Sequence, residues 1–595
     1  MTTIQRADDC EKRFEDGALS QSLLSKHELD MQLTSDGSTN LWGLPAIRRE
    51  TGGTRSLVYL MGFFVFGTAA LYGFAVNLVL YATRSLHLSN VTAVTIGNNF
   101  FGMTYLLSFV GGFLADAYWG RYFASAVFLT IYAIGLILLT SSAFFPGLRP
   151  APCVYGDATC QPPSTWQLVV FFFTLLMVAI GFGGSEPCVY AFGADQYDEG
   201  DDVESKQKSS FFNWQYLCYS IGSIMASLLL VYVENTFGYA VGFGACTLTL
   251  VVGLAFFFGG TPIYRFQKLQ GNPVSGVAQV LVAAVRKWKV TVPVDTTAPY
   301  KDYEESCNQT RITNTSIKFR FLDKASVETD DDVGSRDPWR VCEVTQVEEV
   351  KRFFNLLPLF LSTTIYSIVH IQILTIFVAQ GATMDNHLGK FQVPTASLFT
   401  FNMLSGMAFT LIYELVLMPI MRKRSSTGQG LGSLPRICIG LALSALAMLV
   451  AAAVERRRLI IIQQLNLYDV TPVPMSVFWQ VPQFAIVGLS EVFAWVGMTE
   501  FCYAEAPEGL RTAGSALFLV AVAVGSFASS VIIYFISKIT STGTSDDGWI
   551  ANNLNRGHLD YFFLLLAGIS VLNIIYTMIF VRSGKVAEEK FSNSD

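Results

Sequence analysis

An all-α polytopic membrane protein with twelve spans is the fold class this sequence predicts, on three observations. Of its 595 residues, 52% are hydrophobic and only 14% charged, against roughly 25% charged in an ordinary soluble domain. The charges are bunched, leaving charge-free stretches at Ser56–Thr83, Tyr122–Leu148, Ser209–Val233, Asn235–Tyr264, Phe353–Met384, Thr512–Ser537 and Tyr561–Val581. Each exceeds the ~18 residues at which a membrane span is favoured over a buried core helix. They are apolar on all sides, unlike the alternating strands of a β-barrel. A large soluble enzyme of several domains is excluded.

Taken in order, spans 1 to 12 are expected at 56–82, 92–115, 122–146, 165–190, 209–233, 236–260, 350–380, 393–420, 436–455, 474–503, 511–538 and 559–581. They divide the chain into an N-terminal segment (1–54), a six-helix bundle (55–260), a polar linker (261–349), a second six-helix bundle (350–582) and a tail (583–595). The opening MTTIQRADDCEKRFEDG has no apolar core behind a basic start, so no cleaved signal peptide is expected and insertion is expected to begin at span 1. An even span count puts both termini on one side. Lys and Arg in the N-terminal segment, the linker and the loop Arg422, Lys423, Arg424 mark that side as cytoplasmic, while the turn VENTFG between spans 5 and 6 has none. Arg456, Arg457 and Arg458 fall on the opposite side and break the rule.

Within the linker, Pro273 to Lys289 places Val274, Val277, Val280, Leu281, Ala284 and Val285 at helical spacing beside a basic end. This predicts an amphipathic helix, either on the cytoplasmic leaflet, bridging the bundles, or simply packed on protein. Gly181, Gly183, Gly184, Pro187, Pro358 and Pro482 lie in spans, as helix-bending points or as packing notches.

Ionisable groups at membrane depth cost about 2.5–3.5 kcal/mol each on insertion scales and are functional candidates by default. The sequence has few: Glu186 in span 4, Glu414 in span 8, Glu491 and Glu500 in span 10, and His370 in span 7. Glu491 and Glu500 are about 13 Å apart along a helix, so they mark two depths, Glu491 the deeper. A carboxyl in low dielectric is a proton carrier near neutral pH. Glu500 and Glu414 read first as structural ion pairs near the interface, and His370 equally as a packing histidine or a ligand.

Other chemistries find no support. No phosphate loop, H-E-x-x-H or G-x-S-x-G is present, so neither ATP drive nor an enzyme is expected. No cofactor or metal is expected; the glycines at 428, 430 and 432 mimic a dinucleotide loop only superficially. The net charge of −6 argues against a nucleic-acid partner. Ten cysteines form no C-x-x-C; Cys153 and Cys160, between spans 3 and 4, are a candidate disulfide if that loop faces an oxidising side. Asn90-Val91-Thr92 is a sequon on the predicted outer side; those at Asn308 and Asn314 lie in the linker and are expected to be silent.

Span 2 runs into GGFLADAYWGRY, where Asp116 and Arg121, with Gly112 and Gly120, resemble the cytoplasmic gate motif of the major facilitator superfamily. FGADQYDE (192–199) with SSFFNWQY (209–216) resembles the signature of the proton-coupled oligopeptide transporters, and in detail the plant nitrate and peptide transporter family. NLVLYAT (77–83), FRFLDKA (319–325), PWRVCEVTQVEEVK (338–351), FWQVPQF (478–484) and NLNRGHLDYFF (553–563) extend the likeness from about Leu44 to Val581. The resemblance implies a major facilitator fold of two six-helix bundles that alternate access to a central cavity, with transport driven by protons. In such a latch, Asp116 and Arg121 would hold helices at the cytoplasmic gate.

The sequence departs from that family at its machinery. Ala70, Leu71, Tyr72 and Gly73 match the block after the family's span 1 E-x-x-E-R, which puts Phe64, Gly67 and Thr68 where the glutamates and arginine would sit. The family's span 4 lysine is replaced by Glu186. Glu491 matches the span 10 glutamate that faces the substrate amino group in peptide transporters, and His370 the span 7 histidine of nitrate-transporting relatives. An anion beside two carboxylates is disfavoured by a few kcal/mol at an effective dielectric of ~20, so nitrate binding requires a protonated glutamate. The expected function is secondary active transport of a small solute of the nitrate or short-peptide class, with protons, Glu186, His370 and Glu491 forming the substrate and proton site. Proton-linked movement of potassium and a non-transporting sensor are the alternatives. The expected setting is a lipid bilayer, either plasma or vacuolar membrane.

Overall fold

In the computed structural model the described residues are 33–151, 161–198, 200–267, 273–290, 319–327, 337, 339–417, 419–420, 432–505, 511–541 and 548–581. Cys153, Cys160, the loop Arg422–Arg424, Asn308, Asn314 and the tail lie outside them.

Among the described residues twelve helices are long and apolar enough to cross a membrane. Spans 1 to 6 are Gly53–Arg84, Asn90–Trp119, Arg121–Phe144, Thr165–Ala194, Val203–Phe237 and Tyr239–Ile263; spans 7 to 12 are Val344–Gly381, Thr395–Leu417, Ser433–Leu465, Val477–Cys502, Ala516–Thr540 and Leu559–Ile579. Local signals set their ends. Ser89 accepts from Thr92 N at the start of span 2, and Ser164 with Gln167 forms a capping box at span 4. Gly120 (φ 77°) and Gly238 (φ 91°) turn span 2 into span 3 and span 5 into span 6 through one left-handed residue each.

Spans 1–6 pack together, with span 3 on span 4, span 2 on span 4, and span 1 on spans 5 and 6; in the second bundle span 9 packs on spans 10 and 12, span 7 on span 11, and span 8 on span 10. The bundles meet through span 2 against span 11 and span 5 against span 8, pairs related by the exchange of the two halves. Spans 1 and 7 hold corresponding places, and both are interrupted. Helix in span 1 runs Gly53–Ala75 and resumes at Leu78–Arg84; in span 7 it runs to His370, passes through the tight turn Ile371–Leu374 and resumes at Ile376.

The hydrogen bonds joining the bundles cluster toward the end opposite the termini, here termed outer. Asn90 Nδ2 donates to Asn552 O (2.7 Å), Asn98 Nδ2 to Ser529 Oγ (3.0 Å), and Ser397 Oγ to Ser227 O (2.6 Å). Ser530 Oγ donates to Asn99 Oδ1 at 2.7 Å. Asn90, the predicted sequon residue, thus serves as an interbundle clasp.

Several expectations are corrected. The segment VENTFG is not a turn: helix continues through Val231–Phe237 and only Gly238 turns the chain. Residues 474–476 of the expected span 10 belong to the strand Val473–Ser476, which pairs with Met384–Asp385. Pro358 and Pro482 sit in the first turns of their helices, where a missing N–H costs nothing; of the three prolines only Pro187 lies inside its helix. The span 4 glycines are close-approach sites: a Cβ at Gly181 would lie 2.2 Å from Tyr132 N, and one at Gly183 2.3 Å from Thr104 O.

The linker helix, Pro273–Arg286, packs on protein. Val280, Ala283 and Ala284 join Leu322, Ala325, Cys342, Val347 and Val350 in one apolar cluster. Val285, expected on that face, is exposed instead, because it lies about 100° round the helix from Ala284. A strap formed by residues 33–52 crosses the termini-side ends of spans 4 to 6. Ser35 N and Oγ donate to Asp198 at 2.7 and 2.6 Å, and Arg48 pairs with it at 2.8 Å. Burial would raise the Asp198 carboxyl, but these bonds, with Gly200 N, outweigh it and hold it down to about 2. Beneath the strap Arg265 is fully buried, bonded to Thr51 O and to both oxygens of Glu204.

Candidate functional site

The end of the long helical segment of span 7 places His370 between the bundles. Its ring stacks on Tyr366 one turn earlier (5.7 Å) and meets Trp495 of span 10 (5.5 Å), which also approaches Tyr105 of span 2 at 6.0 Å. His370 Nε2 lies 2.8 Å from Glu491 Oε1, and Asn402 Nδ2 of span 8 donates to the same oxygen at 2.8 Å. The His370 and Glu491 side chains keep 13% and 22% exposure, so this pair is reachable rather than sealed. Asn402 is buried, and its Oδ1 has no partner. One carboxyl therefore gathers donors from two other spans.

Glu186 occupies the facing bundle. Tyr190 OH, one turn on, donates to Glu186 Oε1 at 3.3 Å and its ring stacks on Phe64 (5.1 Å). Tyr72 and Tyr219 share a 2.5 Å hydroxyl contact, and Tyr72 stacks across the bundle boundary on Phe399 at 5.5 Å. Of the three expected residues, His370 and Glu491 are brought into contact, while Glu186 stands apart behind this tyrosine layer.

The departed positions of span 1 are filled by packing. Phe64 is buried in the aromatic layer, Tyr132 OH reaches Gly67 O at 3.3 Å, and Thr68 is buried against Gly222. A Cβ at Gly67 would meet the Phe63 ring at 2.9 Å, so the site has closed over the place where the family's charges would sit.

At the termini-side end Arg121 binds Asp116 (3.0 Å) and Asp195 (2.6 Å), joining spans 2, 3 and 4. A cleft of about 200 Å³ lined by Trp119, Tyr122, Phe192 and Phe266 adjoins it. Glu500 pairs with Arg436 at 2.7 Å, the interfacial ion pair that was its first reading; the Glu414 side chain lies outside the described set. No group of three metal-ligating side chains occurs among the described residues.

Among the described residues, sequence reasoning missed three buried carboxyls in the outer half: Glu234, Glu455 and Asp560, the last paired with Arg456 at 3.2 Å. Glu455 and Arg458 are both fully buried and form a bidentate pair (2.9 and 2.7 Å), bound in turn by Gln380 Nε2 and Asn555 Oδ1. Their i, i+3 spacing was the available signal; the pairing accounts for Arg458, while Arg456 and Arg457 of the same run stay exposed. Glu234 is 1% exposed. Its signal was that it alone divides two charge-free stretches.

Comparison with known proteins accords with this architecture. The model of the POT family (PTR2) matches residues 124–550. The Arabidopsis thaliana protein NRT1/ PTR FAMILY 8.5 is 40% identical over 596 residues, covering 98% of this chain and 99% of that protein. Protein NRT1/ PTR FAMILY 8.1 of the same plant is 41% identical over 549 residues, covering 91% and 95%. Among solved structures, the in meso crystal structure of the POT family transporter PepTSo has a TM-score of 0.65 at 20% identity, covering 90% of this chain and 99% of that one. An auto-inhibited POT family peptide transporter gives 0.63 at 19%, covering 89% and 97%. With twelve spans in two bundles, the family model across most of the chain and relatives matched end to end, this protein belongs to the POT family of membrane transporters, in its plant NRT1/PTR branch, and is not an enzyme.

Proposed function

We propose that this transporter carries a small solute of the nitrate or short-peptide class by alternating access, and that the proton is read by the His370–Glu491 pair with Glu186 as a second acidic group. The observation that carries the reading is the shared oxygen: Glu491 Oε1 holds both His370 Nε2 and Asn402 Nδ2 at 2.8 Å. A proton arriving at Glu491 weakens both contacts, and a second one on His370 leaves a cationic imidazole beside the freed amide N–H for an anion. With Glu491 ionised, an ammonium takes their place. At about 4 Å and an effective dielectric of ~20, each such charge pair is worth about 4 kcal/mol before desolvation, enough to make occupancy follow protonation.

The outer clasp and the exposure of the pair support a state loaded and emptied from the termini side, which the basic segments mark as cytoplasmic. Asp116, Arg121 and Asp195 are the latch of the opposite state in this reading. The segments 1–54 and 261–349 and the tail 583–595 are cytoplasmic, flanking bundles 55–260 and 350–582. The protein works in a plasma or vacuolar bilayer. Uptake of labelled nitrate and of a dipeptide into oocytes at about pH 5.5 and about pH 7.4, either side of the histidine range, tests this. Pronounced uptake of one of them at the lower pH is expected; no uptake of either at both values rejects it.

A further inference from the structure

Glu455 and Glu234 are sealed in the outer half of this protein, and they are neutralised differently. Glu455 in the second bundle has Arg458 across both oxygens. Glu234 in the first bundle has an amide and a thiol. Asn77 Nδ2 donates to Glu234 Oε2 at 2.6 Å, and Cys246 Sγ lies 3.7 Å from Oε1. Gly242 presses on its stem, where a Cβ would come within 2.0 Å of Glu234 Cγ.

The groups facing it are few. Span 1 contributes Asn77, span 6 contributes Cys246 and Tyr239, and the turn Thr395–Leu398 opening span 8, which touches this helix, has no titratable side chain. Among the described residues no Lys, Arg or His forms an ion pair with Glu234, whose hydrogen-bond partners are the Asn77 amide and the Cys246 thiol. An unpaired carboxylate in such a place is strongly disfavoured. Asn77 Oδ1 and the Tyr239 hydroxyl are buried there without hydrogen-bond partners, so the polar groups around the acid are not fully satisfied by one another.

We infer that Glu234 is a proton-binding site, occupied when the outer end is closed and emptied when that end opens. The placement supplies the link. Asn77 lies in the interruption of span 1, and Glu234 lies on the short helix after the irregular turn Ala226–Leu230, whose Ser227 O takes the clasp bond from Ser397. Separating spans 5 and 8 admits water beside this helix; the acid then loses H+ to the outer solution, and closure needs one back. The inference rests on the proton-linked transport proposed above, and gives it a second proton site where span 1 has none.

Glu234→Gln keeps the volume and the acceptor for Asn77. The test compares infrared spectra of the purified full chain in lipid nanodiscs at about pH 7, where an ordinary carboxyl is ionised. A protonated-carboxyl absorption present in the natural chain and lost in Glu234→Gln is expected; identical spectra overturn the inference. Asn77→Ala, which leaves the acid but removes its donor, should shift that absorption, and an unmoved absorption counts against it even if Glu234→Gln fails to fold. In proteoliposomes, gradient-driven uptake of labelled dipeptide or nitrate should fall about tenfold in Glu234→Gln while exchange without a gradient persists; unchanged driven uptake overturns the coupling. If the natural chain transports neither probe yet the absorption is lost in Glu234→Gln, the proton site stands and the proposed function fails.

Discussion

His370 of span 7 and Glu491 of span 10 meet at 2.8 Å, and the same carboxyl oxygen is claimed by Asn402 of span 8. Three helices of one bundle therefore share one carboxyl oxygen, and in the proposed mechanism their mutual contacts change when Glu491 takes a proton. Glu491→Gln is expected to lower proton-driven uptake by about tenfold or more, the scale of one lost charged contact, while leaving exchange of substrate in place. Uptake against exchange in proteoliposomes separates the two effects.

In the proposed mechanism, anion binding depends on His370. His370→Gln retains a donor but no charge near neutral pH, so any nitrate uptake should become flat between about pH 5.5 and about pH 7.4. A pH profile of labelled nitrate uptake checks this, with Glu500→Gln, whose partner Arg436 lies at the interface, as a variant expected to keep the natural profile.

Glu455 and Arg458 are both at 0% exposure. Removing one partner leaves the other buried and unpaired, so Arg458→Met should destabilise the fold by about 3–5 kcal/mol, and Glu455→Gln with Arg458→Met should recover part of that loss. Thermal unfolding of the two variants in detergent reads the difference.

Strap docking should depend on acid. The Asp198 carboxyl is held down to about 2, below its unfolded value of about 3.9. A depressed carboxyl contributes stability that is fully present above the unfolded value and is lost as pH falls toward the folded one. Protease or hydrogen-exchange protection of residues 33–52 should therefore be constant above about pH 5 and fall between about pH 4 and about pH 2. Asp198→Asn should show the loosened strap at neutral pH.

Restoring the family's span 1 charges should fail. Gly67→Glu would drive a side chain into Phe63, and Phe64→Glu would put a carboxyl into the aromatic layer beside Tyr190. Both should reduce folded yield in membranes, read by size-exclusion of the solubilised chain.

The fold was legible because lipid demands long charge-free helices, and span number, order and pairing into halves follow from where charges stop. Single charges in those helices led to His370, Glu491 and Glu186. Their mutual placement was not legible: nothing in the spacing says that Asn402 shares an oxygen with His370, because that depends on how spans 7, 8 and 10 rotate against one another. Glu234 was mistaken for a turn residue because the signals of a helix end and of a buried acid coincide at ENTFG. Charge counting does not distinguish the exposed Arg456 and Arg457, which do break the charge rule on the outer side, from Arg458, which is buried against Glu455.

The most direct test of the account is uptake of labelled nitrate and dipeptide into proteoliposomes driven by an inward proton gradient, in the natural chain and in Glu491→Gln. The account predicts gradient-dependent accumulation of one solute, and in Glu491→Gln its loss with exchange retained. Equal accumulation in the two proteins would contradict it.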